Sequence, residues 1–348
     1  MIGLCNLKSR GARLFFTFSG AALLVTRSTM AVIGVDLGGT KVSAAAFSED
    51  GRLLDRAIER LEGRKGSEVS DLIVQIAARF IDEQTRCGEV IKAVGVSVPG
   101  IYYASTGRVW APNIPGWDDF PLHDTMTSAL GNDLPVHIAS DRACYILGEA
   151  WQGEARGCRD AIFLSVGTGI GAGIMAGGEV LRGHHDIAGA IGWLALDRNF
   201  RPEYKTYGCF EYHASGDGLA RVARDLLESR NEYRSAWRHV KSEALTAKDL
   251  FEAYERGDPL ATEVLEEAIT FWGMAVANLV SLFNPEMIIM GGGVFGPAAR
   301  FLDRIREEAS RWAQPISMRE VKITVTRLGG DAGLYGAAFH SLRALHQS

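Results

Sequence analysis

Residues 35–47, VDLGGTKVSAAAF, decide the fold. An apolar strand ends at Asp36, the residues Gly-Gly-Thr-Lys follow, and a second run of small apolar residues begins. This pattern predicts a strand–turn–strand unit in which Gly38 and Gly39, having no Cβ, leave backbone N–H groups open to an anion. A tight hairpin that merely needs φ > 0 at its glycines is the alternative.

Residues 161–180, AIFLSVGTGIGAGIMAGGEV, repeat this theme, with Gly167, Thr168 and Gly169 at the turn. Two such turns facing each other across a cleft would hold the phosphates of a nucleotide. Neither contains GxxxxGK[ST], so a Walker loop is excluded. The run GTGIGAG passes from strand to strand without an obvious helix after it, which argues against a dinucleotide-binding fingerprint.

A third glycine cluster follows another apolar run in MIIMGGGVF, residues 287–295. Three glycines in a row after a strand would let a flat ligand such as adenine lie against the backbone. Strands alternate with helical patterns along the chain, for example the apolar spacing between Val69 and Ile81, and the second half is mostly helical. The sequence therefore predicts an α/β fold.

Composition limits the function classes. The chain has 348 residues, 47% hydrophobic and 23% charged, with a net charge of −5, so no basic field favours nucleic acid. Five cysteines without a CxxC spacing predict a reduced, cytoplasmic protein without a disulfide framework. The apolar run of about 12 residues within residues 1–29 is too short to span a membrane. It is either a mis-assigned start, with Met30 as the true one, or a targeting segment.

Several motifs occur in register, and together they resemble the ROK family of sugar kinases and sugar-responsive repressors from Met30 to the C-terminus. They are IGVDLGGTKVSAAAF, GVSVPGIYYASTGRVWAPNIPGW, LSVGTGIGAGIMAGGEVLRG, GCFE and NPEMIIMGGGVF. The resemblance implies an actin/hexokinase-like α/β fold, in which two ribonuclease-H-like halves surround a nucleotide and sugar cleft. It divides the chain into an extension (1–29), a small N-terminal domain (30–140) and a large C-terminal domain (141–348). It also implies ATP, Mg²⁺ and commonly a homodimer.

The resemblance assigns the ATP and phosphate contacts to the three glycine clusters and their neighbours. These residues are Asp36, Gly38, Gly39, Thr40, Lys41, Gly167, Thr168, Gly169, Gly291, Gly292 and Gly293. An acid beside a phosphate turn suits a water-mediated contact to Mg²⁺, and Asp36 is in that place. Its alternative role is an Asx-turn that caps the hairpin.

On the acceptor side, the resemblance makes Asp141 in IASDRACYILGE the general base at the head of a helix. From the residues alone, Ser140 or Asp141 could equally be the N-cap of that helix. The other implied sugar contacts are Pro99, Gly100, Asn113, Ser140 and Glu211. The alternative for NIPGW, residues 113–117, is a plain turn, because Asn, Pro and Gly all favour turns.

Two sets of family residues are replaced. Ala190 and Trp193 stand where the family has a glutamate and a histidine near the sugar, and Ser140 replaces an asparagine. The family also has a zinc-binding motif in this region. Of its residues only Cys209 remains, since Pro202, Tyr204 and Lys205 replace two cysteines and a glycine. One cysteine cannot form a four-ligand zinc site, so no structural zinc is expected. The sugar acceptor is therefore either bound through residues other than those of the family, or it is a different molecule.

Two functions fit these observations. The first is a glucokinase-like, ATP-dependent carbohydrate kinase that phosphorylates an alcohol group of a hexose, an amino sugar or a polyol. The second is a non-catalytic sugar or nucleotide sensor on the same fold. The retained Asp141 favours the kinase, because a sensor needs no general base. About 30 residues before the first strand are too few for a repressor's helix-turn-helix, so we expect a small-molecule sugar as partner, with neither nucleic acid nor membrane.

Overall fold

A computed structural model describes residues 29–230, 233, 237 and 244–347. Residues 1–28, which include nearly all of the predicted extension, lie outside the described residues. The chain forms two compact units. The first holds residues up to 100, 105–139 and 337 onward, and the second holds 101–104 and 140–336.

The first unit is built around a five-stranded sheet with the order β3-β2-β1-β4-β7. Its elements are β1 (Thr29–Leu37), β2 (Lys41–Ser48), β3 (Leu53–Arg60), α1 (Ser67–Arg86), β4 (Glu89–Val98), β6 (Arg108–Trp110), α2 (Leu122–Leu130) and β7 (Val136–Ser140). Strands β1, β2 and β3 are antiparallel, and β4 is parallel to β1. Nearly every side chain of β2 is buried, which places the Gly-Gly-Thr turn at the end of a rigid hairpin.

The sequence pattern predicted β1, β2 and α1, but missed β3 and α2. No side chain of β3 is fully buried, because this strand forms the edge of the sheet. It therefore lacks the apolar face that identifies a strand in a sequence. Helix α2 buries Leu122 and Met126, four residues apart, and that spacing is a signal that could have found it.

The second unit contains the remaining elements. They are β5 (Ile101–Tyr103), α3 (Asp141–Gln152), β8 (Ala161–Val166), β9 (Ile170–Ala176), β10 (Glu179–Val180), α4 (Tyr204–Tyr207), α5 (Cys209–Ala214), α6 (Gly216–Ser229), α7 (Ala247–Glu255), α8 (Pro259–Phe283), β11 (Met287–Gly291), α9 (Leu302–Trp312), α10 (Pro315–Glu320), β12 (Lys322–Val325) and the start of α11 (Ala332–Gln347). Short 3₁₀ helices occur at Ile191–Trp193, Gly293–Phe295, Pro297–Phe301 and Gly329–Asp331.

The second sheet repeats the plan of the first, with the order β10-β9-β8-β11-β12. Strands β8, β9 and β10 are antiparallel, and β11 is parallel to β8, as β4 is to β1. The two predicted strand–turn–strand copies are therefore the equivalent hairpins β1–β2 and β8–β9. This repetition confirms the duplicated α/β architecture expected from the sequence.

Helix α8 forms the centre of the second unit's core. It has 25 residues, begins with a proline in its first turn, and is capped by Asp258, whose side chain accepts a hydrogen bond from the Ala261 N–H. It ends at Asn284, which has a left-handed conformation with φ of 44°. Inside the core, the Trp272 Nε1–H donates to the Ala214 carbonyl at 3.0 Å.

The last helix, α11, contributes to both units. In the second unit, a Cβ at Gly336 would lie 1.7 Å from the Cys144 carbonyl oxygen. In the first unit, a Cβ at Gly95 would lie 1.8 Å from the Ala337 carbonyl oxygen. Helix and neighbours approach this closely only because glycine is present. The units divide between residues 139 and 140, next to the boundary expected from the sequence, but residues from 337 onward lie with the first unit.

Cys144, Cys158 and Cys209 are free thiols. In the described ranges, no helix combines the length and the apolar character that are needed to cross a membrane.

We expect Trp272→Phe to lower the free energy of unfolding by about 1–3 kcal/mol, because the buried Ala214 carbonyl would lose its donor. Trp312→Phe is the matched control, since Trp312 is 65% exposed and surface changes usually stay within about 0.5 kcal/mol. Urea unfolding of both variants measures the difference. Equal stability of the two variants would contradict this account of the core.

Candidate active site

The first Gly-Thr turn joins β1 to β2. The Gly38 N–H donates to the Lys41 carbonyl at 2.9 Å, and the Leu61 N–H donates to the Thr40 carbonyl at 2.9 Å. Neither Gly38 nor Gly39 has a positive φ, so the alternative that the hairpin needs glycine for its backbone conformation is wrong. A Cβ would meet its nearest neighbour only at 3.5 Å on Gly38 and at 3.4 Å on Gly39. The protein itself therefore leaves room for a side chain at both positions.

Asp36 lies half-buried near the end of β1, opposite Ser97 in the register with β4. Within the described residues, no group of three or more His, Cys, Asp or Glu side chains could hold a metal ion. Mg²⁺ is usually bound by one or two carboxylates together with substrate phosphates, not by an all-protein cage. A single carboxylate beside the first Gly-Thr turn is therefore compatible with the water-mediated Mg²⁺ contact expected from the sequence.

Asn113 lies beside the first turn, since the nearest neighbour of a Cβ at Gly39 would be the Asn113 Cβ. The loop that carries Asn113 is fixed by Trp117, which is fully buried and donates from Nε1 to the Gly66 carbonyl at 2.9 Å. Trp117 also stacks on Phe120, with ring centroids 4.7 Å apart. The segment NIPGW is thus a turn, and the turn holds an exposed amide next to the glycines.

Pro99 and Gly100 follow β4. Gly100 has φ of +107°, and a Cβ there would lie 2.2 Å from the Trp110 carbonyl oxygen. The backbone therefore requires glycine at position 100 whether or not a ligand binds.

The second Gly-Thr turn joins β8 to β9 in the second unit. The Gly167 N–H donates to the Gly169 carbonyl at 2.9 Å, and the Gly216 N–H at the start of α6 donates to the Gly167 carbonyl at 2.7 Å. No atom lies within 4 Å of a Cβ built on Gly167. A Cβ on Gly169 would lie 2.8 Å from Glu211 Oε2, so packing explains that glycine.

The third glycine cluster, Gly291–Gly293, also contains both glycines that the fold requires and a glycine that it does not require. A Cβ on Gly291 would lie 2.2 Å from the Phe163 ring, and Gly292 has φ of +87°. No atom lies within 4 Å of a Cβ on Gly293. The fold itself requires Gly291 and Gly292, whereas nothing in the described chain requires glycine at 293.

A cavity of about 910 Å³ in the second unit brings Gly167, Thr168 and Gly293 together. Its walls come mainly from α6, α7 and the start of the 3₁₀ turn after β11. Apolar side chains, among them Phe251 and Val294, line it beside charged ones. The charged side chains are Asp217, Arg221, Arg224, Lys248, Glu252, Glu255 and Arg300. The residues that form these walls were not predicted from the sequence, because they follow the spacing of any amphipathic helix.

Asp141 is the first residue of α3 and is not its N-cap. Ser140 is the cap, and its side chain accepts a hydrogen bond from the Ala143 N–H at 3.5 Å. The Asp141 Oδ1 accepts from the Arg142 N–H at 2.7 Å, and the Tyr145 hydroxyl donates to Oδ2 at 3.5 Å.

Burial raises the pKa of Asp141 above the ordinary aspartate value, and the charge of Arg142 and the two hydrogen bonds oppose this effect only in part. The result is a carboxylate that accepts a proton more readily than an exposed one.

Glu211 lies on α5 against the second turn. Its Oε2 accepts from the Ile170 N–H at 2.7 Å, and a Cβ on Gly192 would lie 3.0 Å from the same oxygen. Burial raises the pKa of Glu211, while the hydrogen bond from Ile170 and the charge of Arg221 lower it. The carboxylate therefore links the turn to the segment that carries Ala190 and Trp193.

The two replaced sugar-side positions lie at a short 3₁₀ helix. Ala190 precedes this helix, and Trp193 ends it with its side chain 57% exposed. Gly208, with φ of +78°, packs against the Trp193 backbone, since a Cβ there would lie 3.1 Å from the Trp193 Cα. An exposed indole thus stands at the position where the resemblance leads us to expect a histidine.

A hydrogen-bonded aromatic cluster occupies the region of the former zinc motif. The Tyr204 hydroxyl lies 2.7 Å from His213 Nε2 and 3.1 Å from Asp197 Oδ2. On its other side, His213 Nδ1 lies 2.9 Å from Glu267 Oε1, and the ring stacks on Phe271 at 4.3 Å. Burial raises the pKa of Tyr204, which keeps its hydroxyl protonated. The side chains of this cluster do not provide the four ligands of a tetrahedral zinc site.

We expect Gly291→Ala to destabilise the second unit by roughly 1–3 kcal/mol, because the new methyl group would overlap the Phe163 ring. Gly167→Ala, where a methyl group meets nothing, is the matched control and should unfold like the wild type. Thermal unfolding measures both. A destabilised Gly167→Ala together with a stable Gly291→Ala would contradict the division into packing glycines and open glycines.

Comparisons with known proteins identify relatives of this chain. The ROK family profile matches residues 32–343. A glucokinase from Halalkalibacterium halodurans is 31% identical over 311 residues, which are 88% of this chain and 93% of that protein. A xylose repressor from Caldicellulosiruptor bescii is 28% identical over 335 residues, 94% of this chain and 81% of that protein.

The structure of a ROK family glucokinase from Streptomyces griseus in complex with glucose and AMPPNP matches with a TM-score of 0.71 and 30% identity. The match covers 90% of this chain and 99% of that one. It confirms the expected actin/hexokinase-like fold. The profile match over residues 32–343 shows that the chain belongs to the ROK family.

Proposed function

We propose that this protein is an ATP-dependent carbohydrate kinase that transfers the γ-phosphoryl group of ATP to a sugar hydroxyl. One observation carries the proposal: Asp141 has a partly buried carboxylate at the head of α3, and Ser140 already caps that helix. A buried acid with no capping role and a raised pKa is suited to remove a proton from an alcohol. Glucokinases among the relatives support the same activity.

The proposed donor contacts are assigned to each unit by itself, and in the second unit they lie at the cavity beside the Gly-Thr turn. Gly38, Gly39, Thr40 and Lys41 would contact phosphate oxygens from the first unit. Gly167, Thr168 and Gly293 would do so from the second, together with the packing glycines Gly169, Gly291 and Gly292. Asp36 would hold Mg²⁺ through water, and the ion would screen the charge on the phosphates. Gly167→Ala is then expected to weaken ATP binding, measured by calorimetry, although its stability is unchanged.

In the transfer itself, the acceptor hydroxyl oxygen forms a bond to the γ-phosphorus as the bond from phosphorus to the β–γ bridging oxygen breaks. The Asp141 carboxylate takes the hydroxyl proton, and ADP leaves with the bridging oxygen. Such a reaction depends mainly on positioning and charge screening. Asn113, Glu211 and the Pro99-Gly100 turn would orient the other hydroxyl groups of the sugar.

The second candidate, a non-catalytic sensor, is favoured by the replaced sugar-side residues and by repressors among the relatives. Asp141→Asn separates the two candidates. The amide keeps the size of the side chain but accepts no proton, so turnover should fall by about 10²–10⁴-fold. ATP affinity should stay unchanged. Near-normal turnover of Asp141→Asn would refute the role of Asp141.

The pH dependence gives a second readout of the same residue. The base works only when ionised, so turnover should fall as the pH drops through the raised pKa of Asp141. The acidic limb should lie above the ordinary aspartate value of about 4. Since burial disfavours the charged form in the folded state, Asp141→Asn should be at least as stable as the wild type at neutral pH. A clear loss of stability would indicate a structural role instead.

We also propose that the acceptor is less polar on one side than glucose. Ala190 offers no hydrogen bond, and the indole of Trp193 presents an aromatic face. A glucose hydroxyl directed at these residues would lose its hydrogen bond with water and gain none. A deoxy, acylated or otherwise substituted sugar, or a polyol, fits this surface better.

Restoring the family residues tests the acceptor proposal. The double variant Ala190→Glu with Trp193→His regains the acid and the imidazole, so the KM for glucose should fall roughly ten-fold, the equivalent of one charged hydrogen bond. The KM for ATP serves as the internal control and should not change. A wild type that already prefers glucose, or a double variant with an unchanged KM for glucose, would contradict the proposal.

We propose further that the fold contains no structural zinc, since hydrogen bonds and ring stacking of Tyr204, His213 and Phe271 hold the former zinc region. Metal analysis of dialysed protein should find well below one zinc per chain, and a chelator should not lower the Tm. Stoichiometric zinc would refute this.

The remaining proposals concern the setting of the protein. A kinase that consumes ATP is expected in the cytoplasm, and the net charge of −5 argues against nucleic acid as a partner. A homodimer is proposed from the family resemblance alone. Light scattering of the purified chain tests it, and a monomeric mass at micromolar concentration would refute it.

A further inference from the structure

We propose that the acceptor is a glycoside, and that an exposed aromatic surface of the second unit binds the ring of its aglycone, either a second sugar or an aryl group. The inference rests on the proposed function and names the class of its acceptor. We call this surface the aromatic platform and define it by Trp193, Phe200 and Tyr207, which are 57%, 67% and 39% exposed. Large apolar side chains that are exposed together, unlike single ones, mark interaction surfaces.

The rings of the platform belong to one continuous aromatic array. The Phe200 ring packs edge-on against Tyr204, with ring centroids 6.2 Å apart. Tyr204 and Tyr207 are three residues apart on α4, and both contact Tyr212, with ring centroids at 5.5 and 6.4 Å. Phe200 and Tyr207 are therefore exposed parts of the same cluster of rings.

The platform continues into the candidate acceptor site. Trp193 directly follows Gly192, where a Cβ would lie 3.0 Å from Glu211 Oε2. Tyr207 directly precedes Gly208, where a Cβ would lie 3.1 Å from the Trp193 Cα. A sugar that is bound by Glu211 therefore has the platform at its edge, and a substituent on that sugar extends over the rings.

The rings are held in place although they are exposed. The Tyr204 hydroxyl donates a hydrogen bond to Asp197 Oδ2 at 3.1 Å, which fixes the ring against which Phe200 packs. The Arg221 guanidinium stacks on Tyr207, with its central carbon 3.8 Å from the ring centroid. Side chains that are already ordered lose little conformational freedom when a ligand binds, and this favours affinity.

Polar side chains surround the platform. The segment 198–207 is exposed except for Tyr204, and its exposed residues include Arg198, Asn199, Arg201, Glu203 and Lys205. A sugar ring has C–H groups that an aromatic face attracts, and hydroxyl groups at its edge that polar side chains bind. Rings bordered by charged and amide groups therefore suit a glycoside better than a purely apolar ligand.

The area of the platform argues against a second copy of the chain as its occupant. Taking about 200 Å² for a complete aromatic side chain, its three residues expose roughly 300 Å². A stable protein–protein interface buries about 800 Å² on each partner. The platform is well below that area, whereas one or two rings of a small ligand would cover it.

The aglycone takes no part in the phosphoryl transfer. A hydroxyl group of the sugar at Glu211 loses its proton to Asp141 and bonds to the γ-phosphorus as ADP leaves. The glycosidic bond stays intact, so the products are ADP and a glycoside phosphate.

The experiment measures the KM for methyl glucoside, phenyl glucoside and a disaccharide of glucose, each as the α and the β anomer, at saturating Mg-ATP. In the wild type, the phenyl glucoside or the disaccharide should have a KM roughly ten-fold below that of the methyl glucoside in one anomeric series, as expected for stacking and burial of one ring. Both outcomes support the inference. A lower KM for the phenyl compound identifies an aryl aglycone, and a lower KM for the disaccharide identifies a second sugar.

Variants of Phe200 test whether the platform causes this preference. Phe200→Leu removes the ring and should bring the ratio of the KM values close to one, whereas Phe200→Tyr retains the ring and should keep the preference. Trp312→Ala is the matched control, because Trp312 is 65% exposed but lies on α9, outside the platform. It should behave like the wild type.

Calorimetry of the same glucosides measures binding without turnover. The wild type should bind the preferred ring-bearing glucoside roughly ten-fold more tightly than the methyl glucoside, and Phe200→Leu should bind both equally. Light scattering of the double variant Trp193→Ala with Phe200→Ala tests the rival occupant, and its mass should equal that of the wild type.

Three results overturn the inference. The first is equal KM and affinity of all these glucosides in the wild type, and the second is a preference that survives in Phe200→Leu. The third is a lower mass of the double variant, which would assign the platform to a second copy of the chain. Each leaves the proposed kinase function intact, because ADP release with a simple sugar does not depend on the platform. Tight binding of the ring-bearing glucoside without ADP release on any acceptor would instead refute the proposed function and leave the glycoside-binding platform.

Discussion

The constraint on which this structure depends is the close approach of backbone to backbone at its glycines. A Cβ at Gly95, Gly336 or Gly291 would lie within 2.2 Å of a neighbouring atom, so these positions accept no side chain. They let β4 and α3 lie against α11 and let β11 lie against Phe163. A second kind of glycine, at 38, 39, 167 and 293, has an ordinary φ and room for a methyl group. The chain itself does not exclude a side chain there, which is consistent with the phosphate contact proposed for these glycines.

The scaffold also explains why Asp141 suits base chemistry. Strand β7 leads directly into α3, and Ser140 takes the capping role at the junction. The carboxylate of Asp141 therefore does not cap the helix. It is half-buried and accepts hydrogen bonds from the Arg142 N–H and the Tyr145 hydroxyl. A poorly solvated carboxylate lowers the stability of the fold, and such a loss of stability is common at functional sites.

Much of the fold was predictable because strands ending in glycine clusters have an unusual sequence pattern. The duplicated hairpins followed from it, whereas α1 followed from the helical spacing of its apolar residues. The edge strand β3 could not be found, since no side chain of it is fully buried. The candidate site residues Asp141, Glu211 and Gly167 were predicted from the family resemblance. The walls of the second unit's cavity were not, because their residues follow the spacing of any amphipathic helix. The alternative of a positive-φ hairpin at Gly38 and Gly39 could be rejected only from the backbone dihedral angles of the structure.

The central claim is that this fold transfers phosphate from ATP to a sugar whose recognition differs from that of glucose. An ADP-release assay of the wild type with Mg-ATP tests it, using glucose, other hexoses, amino sugars, N-acylated sugars and polyols as acceptors. The account predicts sugar-dependent ADP release, with a substituted sugar or a polyol as a better acceptor than glucose. ATP binding without ADP release on any acceptor would contradict it and would favour the sensor.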